Sequence, residues 1–539
     1  MSQVSASTPP RLSPWRPLRN HHFRNLLIAD FVSDVGSFLQ SVGAAWLMAS
    51  LTDSPLYIAL IQTAVALPFF LFAVPAGTIG DIVDRRRLIL VTEIWMLLIA
   101  AALAIGTLAG AMTPALLLLL TFCLSTGDAL EAPAWRATFP EIVGKEDLPA
   151  ALSLNGVEFN LARAVGPGLA GVILSAVGVG VTFALNTFSF LGVIFVVAKW
   201  KPPARKNYLP VETFLGGLAA AVRYVRYSPG IRTILVRSGL LIFFTSVFWA
   251  LLPVAAKTIS GNPIVYGLLL GFFGAGAVFG AVVLPRLRAK LSAEATLGLA
   301  TLIFAAVLLA IAFLRSEVVL VPLMLLGGGA WTVFMSGFNI LVQKLAPDWV
   351  RSRVLAFYLF VFQGSVALGS TVWGFVATHA GIHRALVVAA AGTAACLVLQ
   401  PLLRLPNTKV DLTPWNHWLR PTMFEEPDPE DGPVLITVKY VIDPAKVYEF
   451  LRDIHRYARV RRRDGASEWG IFADTENPNV YLENFLVDSW AEHERQHHRF
   501  TRADADIEKR VQSYAVKPPE VKHYIYARKR QGSRHSERS

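Results

Sequence analysis

Residues 76–108 read AGTIGDIVDRRRLILVTEIWMLLIAAALAIGTL. A polar break ends in three consecutive arginines, Arg85, Arg86 and Arg87, and an apolar run follows it. That run can cross ~30 Å of hydrocarbon as an α-helix, and the arginines would hold its start on the inner side of a membrane. Working outward, the same alternation extends from about Leu26 to about Leu405. Spans are expected near 26–50, 56–80, 88–110, 114–138, 151–175, 178–199, 233–256, 265–286, 294–314, 318–342, 354–378 and 383–403. The even-numbered breaks carry Arg85, Arg86, Arg87, Arg136, Lys145, Lys199, Lys201, Arg205, Lys206, Arg223, Arg226, Arg232, Arg286, Arg288, Lys290, Lys344, Arg351 and Arg353. The odd ones hold little beyond Lys257, Arg315 and Arg384. This asymmetry predicts that both termini are cytoplasmic, and an even number of spans agrees with it.

The composition points the same way. Of 539 residues, 54% are hydrophobic and only 16% charged, where soluble domains carry roughly 25% charged residues. Mean hydropathy is +0.48. The net charge of +12 gathers in short loops and the N-terminal tail, which marks topology rather than a nucleic-acid partner. Cys123 and Cys396 lie in apolar segments and offer neither a disulfide framework nor a zinc pattern. No Gly-rich phosphate loop occurs, which argues against ATP-driven work, and no cofactor or metal is expected. The start lacks the apolar core and cleavage site of a signal peptide and reads as a cytoplasmic tail.

The expected organisation is a tail over 1–22, a six-helix transmembrane half over 23–200 and a cytoplasmic inter-half loop over 201–230. A second six-helix half over 231–404 follows, then a Pro- and acid-rich linker over 405–432. The stretch LGGLAAAVRYVRY in the inter-half loop suits an amphipathic helix. Residues 433–530 alternate as strand and helix: VLITVKYVI, a helix opened by Asp443 and Pro444, EWGIFAD, VYLENFLVD, a helix opened by Ser489 and Glu492, and VKHYIYAR. This βαββαβ order predicts an α+β ferredoxin-like domain. Residues 531–539 read as a disordered tail. The fold class is thus an all-α polytopic membrane protein plus a small α+β domain.

Ionisable groups inside spans cost ~2.5–3.5 kcal/mol or more, so each needs a reason. Asp30 and Asp34 share one face of the first span, with Gln40 beyond them; Asp34 is the deeper and suits proton or cation coupling, while Asp30 suits the cytoplasmic interface. Asp128 and Glu131 share a face of the fourth span. Glu158 and Arg163 lie in the fifth, five residues apart, each suited to a neighbouring helix; Arg163 would need a carboxylate or an anionic cargo group. Glu93 is expected near the inner interface, and Arg237 is expected to snorkel to it. In the soluble domain, His493 and His497 have the spacing of a metal pair without a third ligand. Glu492, Glu494, Arg495 and Arg499, and the run Arg459, Arg461, Arg462 and Arg463, read as solvated surface.

The break Gly77-Thr-Ile-Gly80-Asp81-Ile-Val-Asp84-Arg85-Arg86-Arg87 resembles the signature between the second and third helices of the major facilitator superfamily. Gly77, Asp81, Arg85 and Arg86 occupy its places. The resemblance implies a conformational latch in which Asp81 pairs with a basic residue at the end of the fourth helix, Arg136. Gly166, Pro167 and Gly171 resemble the Gly-Pro motif of that superfamily's exporters, with Ala162 in place of a glycine. NxxRAVGPxLAG, GDALEAPAWRATFPEIV and the tail words around Arg461–Ala466, Glu468–Gly470 and Ser489–His497 resemble its enterobactin-exporter-like branch, the transmembrane secretion effectors. The soluble domain resembles the dimeric α/β barrels of antibiotic-biosynthesis monooxygenases, without an evident catalytic constellation.

These resemblances imply a bacterial inner-membrane secondary transporter that uses protons to export a small molecule such as a siderophore-like metabolite or a drug. Its partners would be the lipid bilayer, its cargo and protons, and it would form a homodimer through the C-terminal domain. An importer of the same architecture and a membrane-anchored enzyme or sensor are the rival readings.

Overall fold

A computed structural model describes residues 13–200, 214–406, 410–415 and 427–527; the side chains of 73–75, 77–82, 145, 214, 215 and 218 fall outside the described set. Helix α1 (His21–Leu51) opens at Asn20, whose side chain accepts from His22 N–H at 3.0 Å. There follow α2 (Pro55–Ile82), α3 (Arg85–Leu108), α4 (Pro114–Gly144), α5 (Glu146–Val177) and α6 (Val179–Lys199). Between α4 and α5 the chain turns at Gly144, where φ is +76°, a conformation that glycine adopts without steric cost. Next come the short α7 (Phe214–Tyr227), then α8 (Pro229–Ile259), α9 (Pro263–Lys290), α10 (Ala293–Phe313), α11 (Glu317–Leu345), α12 (Arg351–Ala380) and α13 (Ile382–Ala395).

Among the described residues, eleven of these helices are long and apolar enough to cross a membrane. The stretch expected as the twelfth span is α-helical only through Ala395. It winds on in i→i+3 turns, with Leu397 N–H to Ala394 O at 2.9 Å and Gln400 N–H to Leu397 O at 3.0 Å. Pro401 explains the change: it has no N–H to donate and disfavours helical geometry in the residue before it.

The chain forms two compact units. The first comprises Met1–Leu209, Leu235–Asn339 and Ala356–Leu405; the second comprises Pro210–Ile234, Ile340–Leu355 and Pro406–Ser539. In the first, small residues let helix backbones approach closely. A Cβ on Gly267 of α9 would lie 2.7 Å from Gly171 Cα and 2.7 Å from Pro167 O of α5. A Cβ on Gly166 would lie 2.6 Å from Phe38 Cβ of α1. These positions of the Gly-Pro motif are therefore packing surfaces, as such residues are in membrane helices generally. Arg237 does not snorkel. It is buried, and it donates to both carboxylate oxygens of Glu294 at 2.7 and 2.9 Å and to Leu403 O at 3.0 Å. A partner on α10 lets it stay buried.

In the second unit, β1 (Val434–Val441), β2 (Ser467–Ala473), β3 (Val480–Val487) and β4 (Glu520–Ile525) form an antiparallel sheet in the order β2-β3-β1-β4. Helices α14 (Val447–Arg463), α15 (Trp490–Arg499) and α16 (Arg502–Gln512) accompany it. One helix was expected after β3, and two are present, because Phe500 breaks the run and Thr501 with Asp504 forms a reciprocal capping box. Val434, Ile436, Phe450, Tyr457, Phe485 and Trp490 belong to the core. The opposite sheet face is open, with Phe472 and Tyr524 exposed.

Charge runs expected to be solvated are partly internal. Arg461 reaches the wholly buried Glu483 at 3.4 Å, and Arg463 reaches Asp464 at 2.8 Å and Asp504 at 2.7 Å. Glu492 and Arg499 are buried together, 2.6 Å apart. Linear spacing placed these groups on helix faces but could not show that an opposite charge waited on the facing element.

Candidate functional site

Six carboxyl groups converge within the first-half helices. Asn155 of α5 donates to Asp30 of α1 at 3.0 Å and to Glu158 at 3.2 Å. Glu158 and Asp34 lie beside each other, and Asp128 of α4 and Arg163 of α5 lie within electrostatic reach of Asp34. One turn from Asp128, Glu131 accepts from Thr92 at 2.6 Å and lies beside Glu93, both of α3. Glu93, expected near the interface, is instead buried, and its Oε2 finds no donor. Its place was legible from counting: it lies eight residues into α3, ~12 Å along the helix axis.

The structure therefore brings together Asp34, Asp128, Glu131, Glu158 and Arg163, with Asp30 and Glu93 joining them. Arg163, the guanidinium in reach of Asp34, also sits over the Phe159 ring at 4.7 Å. Six carboxyls this close in a low-dielectric interior cannot all be charged. The arrangement is chemically suited to taking up and releasing protons.

The second half contributes aromatic rings instead. Phe248 stacks on Phe273 with centroids 4.6 Å apart, and Trp249 meets Trp331 edge-on at 5.6 Å. Phe304 and Phe362 extend the cluster from Trp331 at 6.1 and 6.2 Å. Sequence reasoning missed this group. Its signal was the recurrence of Phe and Trp from the seventh span to the eleventh, which alone does not separate a cargo surface from packing.

Of the latch residues, Gly77 and Asp81 have side chains outside the described set. Arg136 is exposed. Arg85 pairs with Glu141 of α4 and donates to Ala137 O at 3.0 Å, while Arg86 donates to Val197 O at 3.2 Å near the end of α6. The arginine run thus ties α3 to α4 and α6.

In the soluble domain, His493 and His497 face each other, with their Nε2 atoms 3.4 Å apart, and His493 lies 4.8 Å from His523 between ring centroids. Among the described residues no group of three or more His, Cys, Asp or Glu is placed to hold a metal ion. Burial, then His523, pushes His493 down to about 4; burial, then His493, pushes His497 down to about 2. In an unfolded chain both would titrate near ~6.5. The unfolded state therefore takes up protons first. The stability these residues contribute is present above about pH 6.5 and is lost as pH falls, through about 4 for His493 and on toward about 2 for His497. Asp464, raised to about 6 chiefly by burial, acts in the opposite sense. Thermal unfolding of the domain in the purified full chain is expected to move to lower temperature over this window. The slope should be shallower in a His493→Asn, His497→Asn variant, and an equal slope in both proteins would refute the assignment.

The family model described as "Transmembrane secretion effector" matches residues 12–531. The Staphyloferrin A transporter of Staphylococcus aureus is 23% identical over 399 residues, covering 72% of this chain and 98% of that protein. Multidrug efflux pump Tap of Mycolicibacterium fortuitum is 25% identical, covering 66% and 90%. Enterobactin exporter EntS of Citrobacter koseri is 27% identical, covering 49% and 63%. In fold, the chain is similar to the inward-facing crystal structure of a bacterial homologue of the lysosomal transporter Spinster. The TM-score is 0.56 at 12% identity, over 74% of this chain and 96% of that one.

Proposed function

Since the chain belongs to the transmembrane secretion effectors of the major facilitator superfamily, and so is a multi-pass membrane transporter rather than an enzyme, we propose that it exports a small molecule in exchange for protons. The observation that carries this reading is the carboxyl cluster around Asp34 and Glu158. It lies in the helices of one half, with Arg163 as the guanidinium in reach of Asp34. A proton entering from outside would neutralise part of the cluster and favour one state of the two-half assembly; its release inside would favour the other. The loop-charge asymmetry supports both termini inside, and the bacterial relatives favour a bacterial cytoplasmic membrane.

The aromatic cluster around Trp249, Phe273 and Trp331 suits the apolar body of an amphipathic cargo, and the polar half suits its charged or hydrogen-bonding groups. A siderophore-like metabolite or an amphipathic drug has both. The Staphyloferrin A transporter, the enterobactin exporter and the multidrug pump among the relatives favour the same two classes. Comparing metabolites inside and outside a deletion strain and its complemented parent tests the proposal. Export predicts a compound that accumulates inside and disappears from the medium when the protein is missing. The reverse distribution would make the protein an importer and refute the reading.

A further inference from the structure

The second unit joins three stretches far apart in sequence: the inter-half helix α7 with the start of α8, the connection from α11 to α12, and the soluble domain. Their meeting is built, not incidental. Arg223 of α7 donates to Glu492 of α15 at 2.9 Å. Glu492 also receives Arg499 at 2.6 Å and Arg495 at 3.2 Å, so three guanidiniums converge on one largely buried carboxylate. Burial alone would raise Glu492, but Arg499 and Arg223 hold it below its usual range.

Beside this pair, Tyr224 is almost fully buried. Its hydroxyl donates to Leu345 O at 2.8 Å, and its ring lies under the Arg463 guanidinium at 5.5 Å. Trp349, in the α11–α12 connection, meets Tyr224 edge-on at 5.8 Å and carries Arg499 over its face at 4.7 Å. The turn between α14 and β2 makes room for this contact. Gly465 takes φ of +123°, and a Cβ there would lie 2.9 Å from Glu492 Oε1 and 3.5 Å from Arg223 Nη2. An L side chain would be strained by the backbone and would crowd the ion pair.

We propose that the soluble domain is a clamp on its own transporter: through Glu492, Arg499 and Arg463 it binds α7 and the α11–α12 connection and holds the two together. The two connections lead into the start of α8, the end of α11 and the start of α12, so one globular body restrains three second-half helices at their ends. A freely tethered domain would need none of these contacts. The interface is chemically specific, because its charges are shared among several partners and its two aromatic rings are covered by guanidiniums.

The test is retention of the domain after the chain is cut. A protease site inserted between Asn407 and Thr408 leaves residues 410–415 with the domain, to which Trp415 N–H binds Phe500 O at 2.8 Å and Arg502 N–H binds Thr413 O at 3.0 Å. Full-length protein in nanodiscs is cleaved and then separated by size. The domain is expected to stay with the membrane fragment. Arg223→Glu and Trp349→Ala, each made alone on the transporter side so that the domain's own fold is untouched, should each release about tenfold more domain. Spontaneous release from the unsubstituted protein would overturn the proposal. So would unsubstituted-like retention in both variants.

Discussion

Asp34→Asn is expected to abolish proton-driven cargo movement, with the initial rate falling about a hundredfold or more. Asn keeps the size of Asp and can hydrogen-bond Glu158, but it can neither take up a proton nor release one. Asp34 is the group that ties the cluster together: Glu158 lies beside it, and Asp128 and Arg163 lie within its reach. Exchange of labelled for unlabelled cargo, which needs no net proton movement, should persist in the variant when measured in proteoliposomes. Loss of driven transport with retained exchange would separate a coupling role from a structural one. Driven transport at the unsubstituted rate would remove Asp34 from the mechanism, and loss of exchange as well would assign it to folding or cargo binding.

Gly267→Val is expected to slow transport as well, by less, and for a mechanical reason. The α5 and α9 backbones approach so closely that even one added carbon would lie 2.7 Å from Gly171 Cα. Valine adds two more carbons, and overpacking of this kind costs ~1–3 kcal/mol or more, with backbone shifts. If α5 and α9 must slide on each other as the halves rock, the bulk should cost about tenfold in transport even where folding survives. Gly168→Ala is the control, since a Cβ there meets nothing within 4 Å. Equal transport by the two variants, at equal expression, would show that the seam is not a moving contact.

The long apolar runs made the spans legible, because twenty or so residues without charge have few other uses. The βαββαβ order was legible from alternation and from caps such as Asp443, whose side chain does accept from Ala445 N–H. Intramembrane Asp34, Asp128, Glu131, Glu158 and Arg163 could be picked out by their cost alone. What a linear reading does not supply is the facing residue. Arg237 looked like a snorkelling side chain because its partner Glu294 is 57 positions away. Arg85 finds Glu141 on α4, a residue that the sequence alone gave no role. Glu492 and Arg463 looked solvated because their neighbours α7 and α16 approach from elsewhere in the chain. Burial of charge depends on such partners, and spacing along one element is silent about them.

The end of the last membrane segment has a mechanical consequence. Leu403 O is held by Arg237 at 3.0 Å and Leu405 N–H by Glu294 at 2.6 Å, immediately before the chain enters the linker. A pull on the linker is thus borne first by a staple between α8 and α10, not by the loosely wound turns after Ala395. The staple works as a strain relief, like the grommet where a cable leaves its housing. Tension from the soluble side would be shared by two well-packed helices before it could unwind the thirteenth.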